Sequence, residues 1–183
     1  MEKLFIFLVL SLPVIIVSWR TLFNIRSHGF YRFFAWEGIL WLLVSNYELW
    51  FTNPFSINQI FSWIFLFYSI YPALAGAILL KKHGNSKEVR KEDTLYKFEK
   101  TTELVTSGIF KHIRHPLYSS LILLTWGIYL KNPADLTLLI IAIISTIFLY
   151  FTAKFDEIEC IAYFGNDYVD YMKRSKMFIP FIF

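Results

Sequence analysis

Residues 136–153 read LTLLIIAIISTIFLYFTA and contain no charged side chain. A helix needs about 20 mainly apolar residues to cross the hydrocarbon core of a bilayer. This stretch therefore predicts a membrane-spanning helix. The acids Asp156 and Glu157 follow almost immediately, so any chemistry near them would take place at one surface of the membrane.

Four further apolar stretches lie outside that helix. The chain of 183 residues is 56% hydrophobic and 20% aromatic, with a mean hydropathy of +0.49, whereas soluble domains are about 45–50% apolar. We predict an all-α integral membrane bundle of about five transmembrane helices in a single domain, residues 1–183. The predicted spans are 4–19, 33–51, 57–80, 116–130 and 136–153. A signal peptide is the alternative for 4–19, but no small-residue cleavage site follows it.

The distribution of basic residues predicts the orientation. Of the 18 Lys and Arg residues, 16 flank the spans on one side, and only Lys3 and Lys131 fall on the other. By the positive-inside rule, the N-terminus lies outside and the C-terminus in the cytoplasm. Segments 81–115 and 154–183 are then cytoplasmic, and we expect the functional residues there because the outer turns are short.

Several classes of function have no support in the sequence. The net charge of +4 is distributed in clusters between apolar runs, which indicates contact with lipid headgroups rather than nucleic acid. Cys160 is the only cysteine, so an intramolecular disulfide and a cysteine-based zinc site are excluded. Phosphate-binding, dinucleotide-binding and zinc-protease motifs do not occur. We predict no metal site.

Arg114, His115 and Pro116 open the fourth apolar stretch. Proline is favoured in the first turn of a helix, so Arg114 and His115 are expected at a helix N-terminus near the membrane surface. Unpaired N–H groups, the helix dipole and the arginine would together attract an anion. Alternatively, Arg114 is an ordinary interfacial anchor, His115 caps the helix, and Tyr118 belongs to an interfacial aromatic belt.

Acidic residues gather where the fifth span ends. Asp156, Glu157 and Glu159 lie so close to hydrocarbon that they must pair, reach water or face a polar cavity. These residues alone do not distinguish a functional site from acids that are simply solvated. Further on, Gly165 can end a helix and Asn166 or Asp167 can cap the next. Residues 168–172 then predict a short interfacial helix with Tyr168 and Tyr171 on one face.

Residues 104–118, LVTSGIFKHIRHPLY, together with the later elements, resemble the isoprenylcysteine carboxyl methyltransferase and phospholipid methyltransferase superfamily of membrane enzymes. The later elements are Asp156-Glu157 at the position of a pair of glutamates, Phe164-Gly165, the two tyrosines of the short helix, and Pro180. The resemblance covers roughly the C-terminal half of the chain. It depends on the order of the elements more than on any one of them.

This resemblance implies an enzyme that transfers a methyl group from S-adenosylmethionine, bound at the cytoplasmic face. The acceptor would be a lipophilic small molecule or prenylated group that arrives laterally from the membrane lipids. The family pattern gives cofactor-binding roles to Arg114, His115, Tyr118, Asp156 and Glu157. Glu157 would also be the catalytic residue, close to the transferred methyl group.

Departures from the family pattern leave the acceptor open. Ser120 stands where many relatives have glycine, and Thr152 and Lys154 stand where relatives often have arginines. Losing those arginines weakens the case for an isoprenylcysteine-type carboxylate. A phospholipid amine is the alternative acceptor, and a non-catalytic membrane scaffold with the same fold is the alternative function. A transporter ranks last, because the acids lie mostly at the ends of spans.

Overall fold

The structure is a computed structural model that describes residues 1–83 and 101–182. Within these ranges the chain forms six α-helices and no β-strand, which confirms the all-helical prediction. Residues 84–100 of the predicted cytoplasmic segment lie outside the described residues. The helices are α1 (Glu2–Ser18), α2 (His28–Asn46), α3 (Ile57–His83), α4 (Pro116–Tyr129), α5 (Leu136–Phe164) and α6 (Asn166–Arg174).

Each of helices α1 to α5 overlaps one of the five predicted apolar stretches. Among the described helices, α3 and α5 are long and apolar enough to cross a membrane. Of the residues in the most apolar part of each helix, only 22% in α3 and 33% in α5 are buried. A helix in the interior of a soluble protein would be mostly buried. Large apolar side chains such as Phe5, Ile16 and Phe67 are exposed, which also suits lipid contact. That α1, α2 and α4 cross the membrane remains a prediction.

Two helices differ from the predicted bounds. Helix α2 runs from His28 to Asn46, whereas the predicted span was 33–51. It begins early because Ser27 caps it by accepting a hydrogen bond from the Gly29 N–H. It ends early because the chain continues as a 3₁₀ helix, Tyr47–Leu49. Helix α5 continues well past residue 153, since no residue that breaks a helix occurs before Gly165, whose φ is +62°. The acids at its end therefore belong to α5 itself.

The junction between α5 and α6 has no side-chain cap. We predicted a cap from Asn166 or Asp167, but α6 begins at Asn166 and Gly165 occupies the capping position. The predicted tyrosine-bearing helix is nevertheless present, and Tyr168 and Tyr171 are both buried. Their common face turns inward, toward α5 and the segment before α4.

Helix pairs α2–α5 and α3–α4 form the interior. Small residues let the backbones of α3 and α4 approach closely, as is common in membrane bundles. The hydroxyl of Ser62 donates to the carbonyl of Gly127 over 2.6 Å. A Cβ added at Gly127 would lie 3.0 Å from Leu66 Cδ2 and 3.2 Å from the Leu66 backbone nitrogen. The main core cluster comprises Ala35, Ile39, Leu42, Leu66, Ile128, Tyr129, Leu138, Ala142 and Leu149.

Gly127→Val is expected to separate α3 from α4, because the added side chain meets backbone that cannot move aside easily. Overpacking of this kind costs about 1–3 kcal/mol. Thermal melting of the purified protein in detergent measures the change. The control is Ala162→Val, at an exposed position of α5, which should leave the melting temperature nearly unchanged. Equal melting of both variants would contradict the close approach at Gly127.

Candidate active site

Backbone hydrogen bonds join the segment before α4 to the tail of the chain. The Arg114 N–H donates to the Lys176 carbonyl over 2.8 Å, and the His115 N–H donates to the Met177 carbonyl over 3.2 Å. In return, the Lys176 N–H donates to the His112 carbonyl over 3.0 Å. This pairing fixes the backbone that carries the two predicted cofactor-binding residues.

The guanidinium group of Arg114 contacts three residues. Its Nε and Nη2 lie 2.9 Å and 2.7 Å from Oε1 of Glu157. Its Nη1 donates to the carbonyls of Met172 and Ser175, just before and just after the end of α6. Arg114 therefore joins α5 to the end of α6.

His115 is buried against two acids of α5, Asp156 and Glu157. Its Nδ1 lies 3.4 Å from Asp156 Oδ2, and its ring stacks on Tyr118 with centroids 5.4 Å apart. Its Nε2 has no hydrogen-bond partner, although Glu157 Oε1 is 3.5 Å away. Burial lowers the pKa of His115, but the neighbouring carboxylates raise it by more, so its pKa lies above the ordinary 6.5.

The two adjacent acids of α5 have different environments. The side chain of Glu157 is 4% exposed and also contacts Nζ of Lys154 at 3.2 Å. The side chain of Asp156 is 21% exposed. The carboxylate of Glu157 is paired with Arg114 and Lys154 inside the protein, which compensates its charge. The carboxylate of Asp156 remains partly exposed.

The N-terminal half contributes a second buried histidine that the sequence analysis did not single out. His28 lies 2.7 Å from Glu159 through Nδ1, and its backbone N–H donates to the same carboxylate over 3.0 Å. The positive charges of His28 and Arg32 act on Asp156 from this side. Helix α2 thus completes the polar cluster, although no motif in its sequence indicates this.

A cavity lies between the N-terminus of α4, α5 and α6. Its volume is about 100 Å³, and it is partly open to solvent. Aromatic rings from several elements line it, together with the two basic residues that precede α4. The lining residues are Leu80, Thr101, Leu104, Val105, Phe110, Arg114, His115, Pro116, Leu117, Tyr118, Asp156, Cys160, Phe164, Tyr168 and Tyr171.

Four of the five predicted site residues line this cavity, namely Arg114, His115, Tyr118 and Asp156. Glu157, the predicted catalytic residue, is not among the lining residues and instead contacts Arg114 from behind. The structure thus brings all five together but separates them into a group facing the cavity and one supporting residue. The predicted roles themselves stay predictions.

The sequence analysis missed Tyr168 and Tyr171 as lining residues. It placed them on one face of a short helix and gave that helix a structural role. Burial raises the pKa of Tyr168 strongly, so its phenol stays neutral. The available signal was the hydrophobic periodicity of α6, which shows a shared face but not what that face meets.

The model of the phospholipid methyltransferase family matches residues 75–177, which include every residue named above as lining the cavity. The match covers more than half of the chain. This chain belongs to the phospholipid methyltransferase family. The resemblance to the isoprenylcysteine and phospholipid methyltransferase superfamily is thereby confirmed.

Three curated relatives of this chain are named methanethiol S-methyltransferases. Methanethiol S-methyltransferase of Crocosphaera subtropica is 30% identical over 92 residues, which cover 50% of this chain and 32% of that protein. Methanethiol S-methyltransferases 1 and 2 of Bradyrhizobium diazoefficiens are 29% and 31% identical over 75 and 78 residues. These cover 41% and 43% of this chain, and 25% and 29% of the relatives.

The chain therefore spans at most about a third of the length of these relatives. The relatives' names and the family support methyltransferase activity at the level of the family. Together with the two apolar helices, they indicate a membrane protein. No solved structure matches the chain.

The raised pKa of His115 predicts a pH-dependent contribution to stability. The favourable contacts of the imidazolium are fully present below the unfolded-state pKa of 6.5 and are lost as pH rises through the higher folded-state pKa. His115→Gln should therefore destabilise the protein more at about pH 6 than at about pH 9. Chemical denaturation in detergent at both pH values measures the difference.

The matched control for this experiment is His83→Gln, because His83 is exposed at the end of α3. Its effect on stability should be small at both pH values. A destabilisation by His115→Gln that does not change with pH would show that the pKa of His115 is the same in the folded and unfolded protein.

Proposed function

We propose that this protein is an S-adenosylmethionine-dependent methyltransferase that acts on a lipophilic acceptor at the cytoplasmic face of a membrane. The observation that carries the proposal is the cavity in which the basic N-terminus of α4 meets Asp156 of α5 within a set of aromatic rings. Membership of a methyltransferase family gives the reaction class. The five-span topology with the N-terminus outside is part of the same proposal and rests on the basic-residue distribution.

The residues present suit S-adenosylmethionine, which supplies an electrophilic methyl group on a cationic sulfonium. The open side of Asp156 offers a carboxylate to that cation. The unpartnered Nε2 of His115 offers a buried donor to the carboxylate of the cofactor. The rings of Tyr118 and Tyr168 offer apolar and cation–π contact. A cavity without an acid, or one with every donor already satisfied, would not have suited this group.

Arg114 has a different role in this proposal. Four of its five N–H donors are engaged by Glu157 and two carbonyls, so it contributes mainly positive charge and fixed geometry. Glu157 holds Arg114 in turn. We therefore treat Glu157 as a positioning residue, whereas the sequence analysis gave it the catalytic role.

Methyl transfer is an in-line displacement, so alignment in a site shielded from water supplies most of the rate. The bond to the acceptor forms as the bond from the methyl carbon to the sulfonium breaks. Glu157 is paired with cations, which makes it a weak base. An amine or thiol acceptor would therefore lose its proton to water, and the rate should rise with pH toward the pKa of the acceptor.

Two features of α5 disfavour a carboxylate acceptor. The hydroxyl of Thr152 donates to the Phe148 carbonyl of its own helix over 2.8 Å. The ammonium of Lys154 is paired with Glu157. Neither offers the forked contact by which arginine binds a carboxylate. A small thiol is the acceptor to test first, because the three curated relatives are named methanethiol S-methyltransferases.

Calorimetric titration of the detergent-purified protein with S-adenosylmethionine is expected to show saturable binding. His115→Ala and Asp156→Asn should each weaken it about tenfold or more, since each removes a charge-assisted contact. Asp156→Asn should weaken binding of S-adenosylhomocysteine much less, because that product lacks the sulfonium charge. The comparison of the two ligands separates loss of the charge contact from general damage to the site.

The control for the titration is Lys173→Ala, whose side chain is 71% exposed on α6. It should bind S-adenosylmethionine as the wild type does. Absence of binding in well-folded wild-type protein would overturn the proposal and favour the non-catalytic scaffold.

Transfer of a labelled methyl group from S-adenosylmethionine in lipid nanodiscs distinguishes the acceptors. We expect turnover with a small alkanethiol and none with an isoprenylcysteine carboxylate, while phosphatidylethanolamine tests the amine alternative. Glu157→Gln should lower turnover by about tenfold or more with a smaller effect on cofactor affinity, because misplacing Arg114 disturbs alignment. Full activity of this variant would remove Glu157 from the site, and carboxylate turnover would refute the argument from Thr152 and Lys154.

A further inference from the structure

A second cleft shares the lining residue Tyr171 with the cavity described above. Its lining residues are Thr106, Lys111, His112, Tyr171, Arg174 and Phe181, and its volume of about 440 Å³ is partly open to solvent. We refer to these six residues as the basic cleft. No motif singled it out, and the proposed methyl transfer does not use it.

The charged side chains that line the basic cleft are all basic. Lys111 and His112 come from the segment before α4, and Arg174 comes from the last turn of α6, so the basic groups converge from separate parts of the chain. No acid occurs among its lining residues. The nearby Asp170 is paired with Lys173 at 2.7 Å. An anion would therefore meet basic side chains from two directions, with the hydroxyl of Thr106 beside them.

One edge of the basic cleft is apolar and exposed. Phe181 is 82% exposed and packs its ring 5.7 Å from that of His112. Ile179 and Ile182 beside it are 51% and 76% exposed. Apolar side chains next to basic ones are typical of a segment that lies in the interface of a membrane. A free anion would make no use of this edge.

We propose that the basic cleft binds the phosphate group of an anionic phospholipid, with its acyl chains against Phe181 and Ile182. The proposal does not depend on methyl transfer. It does bear on the active site, because Tyr171 lines both spaces and the carbonyls of Met172 and Ser175, next to Arg174, hold Arg114. A lipid bound here would restrain the end of α6 that positions that arginine.

The test is native mass spectrometry of the detergent-solubilised protein titrated with phosphatidylglycerol or with phosphatidylcholine. We expect a phosphatidylglycerol adduct that Lys111→Gln combined with Arg174→Gln weakens about tenfold or more. The matched control removes two other exposed cations, Lys81→Gln combined with Lys82→Gln, at the end of α3. The control should bind phosphatidylglycerol as the wild type does.

Each other outcome overturns the proposal. Equal loss in both double variants would show diffuse attraction to the basic surface, and equal binding of phosphatidylcholine would show apolar contact alone. Inorganic phosphate is titrated in parallel by calorimetry. Phosphate binding that Lys111→Gln with Arg174→Gln abolishes, without any phosphatidylglycerol adduct, would identify a free-anion site. Phe181→Ser should weaken the phosphatidylglycerol adduct, and an unchanged adduct would overturn the part assigned to the apolar edge.

Circular dichroism of every variant checks that it is folded. Lys111, Arg174 and Phe181 are all exposed, so their substitution is expected to leave the helices intact. Loss of lipid binding in folded protein then reports on the basic cleft.

Discussion

The pairing of Arg114 with Glu157 is the interaction on which the polar end of this protein depends. Both side chains are less than a tenth exposed, and their atoms approach to 2.7 Å. Charges removed from water are costly unless paired and hydrogen-bonded, and loss of one partner leaves the other uncompensated. The two carbonyls at the end of α6 complete the coordination of the guanidinium. One buried cation thereby determines where α4, α5 and α6 meet.

The remaining contacts of the site follow from that arrangement. With Arg114 fixed, the adjacent His115 lies between Asp156 and Tyr118, and its ring borders the cavity. The chain's tail pairs with the backbone just before α4, so residues far apart in sequence hold one short segment. From the other side, His28 and Glu159 join α2 to the end of α5. Several helices thus contribute charges to a small volume, as the proposed binding of a charged cofactor would require.

This organisation explains how a short chain of apolar helices can hold polar chemistry. The apolar parts of α3 and α5 are suited to lipid, while the extension of α5 past residue 153 projects its acids beyond that region. An acceptor dissolved in the bilayer would approach a site of this kind along apolar surfaces. Water-soluble ligands would approach from the polar end. The cavity lies where these two regions meet, lined by apolar and charged side chains.

The sequence by itself determined the helical class, the apolar stretches and the family. Composition and the length of the apolar runs are local properties of the chain. The family elements around residues 104–118 and Asp156-Glu157 can likewise be recognised from their order in the sequence, without knowing which residues are in contact. Tertiary structure alone decided that Glu157 stands behind Arg114 while Asp156 borders the cavity. Adjacent residues on a helix point about 100° apart, and only the packing of neighbouring helices sets which one faces the open space. For the same reason, the roles of His28 and Tyr171 could not be read from the sequence, since their partners lie in distant parts of the chain.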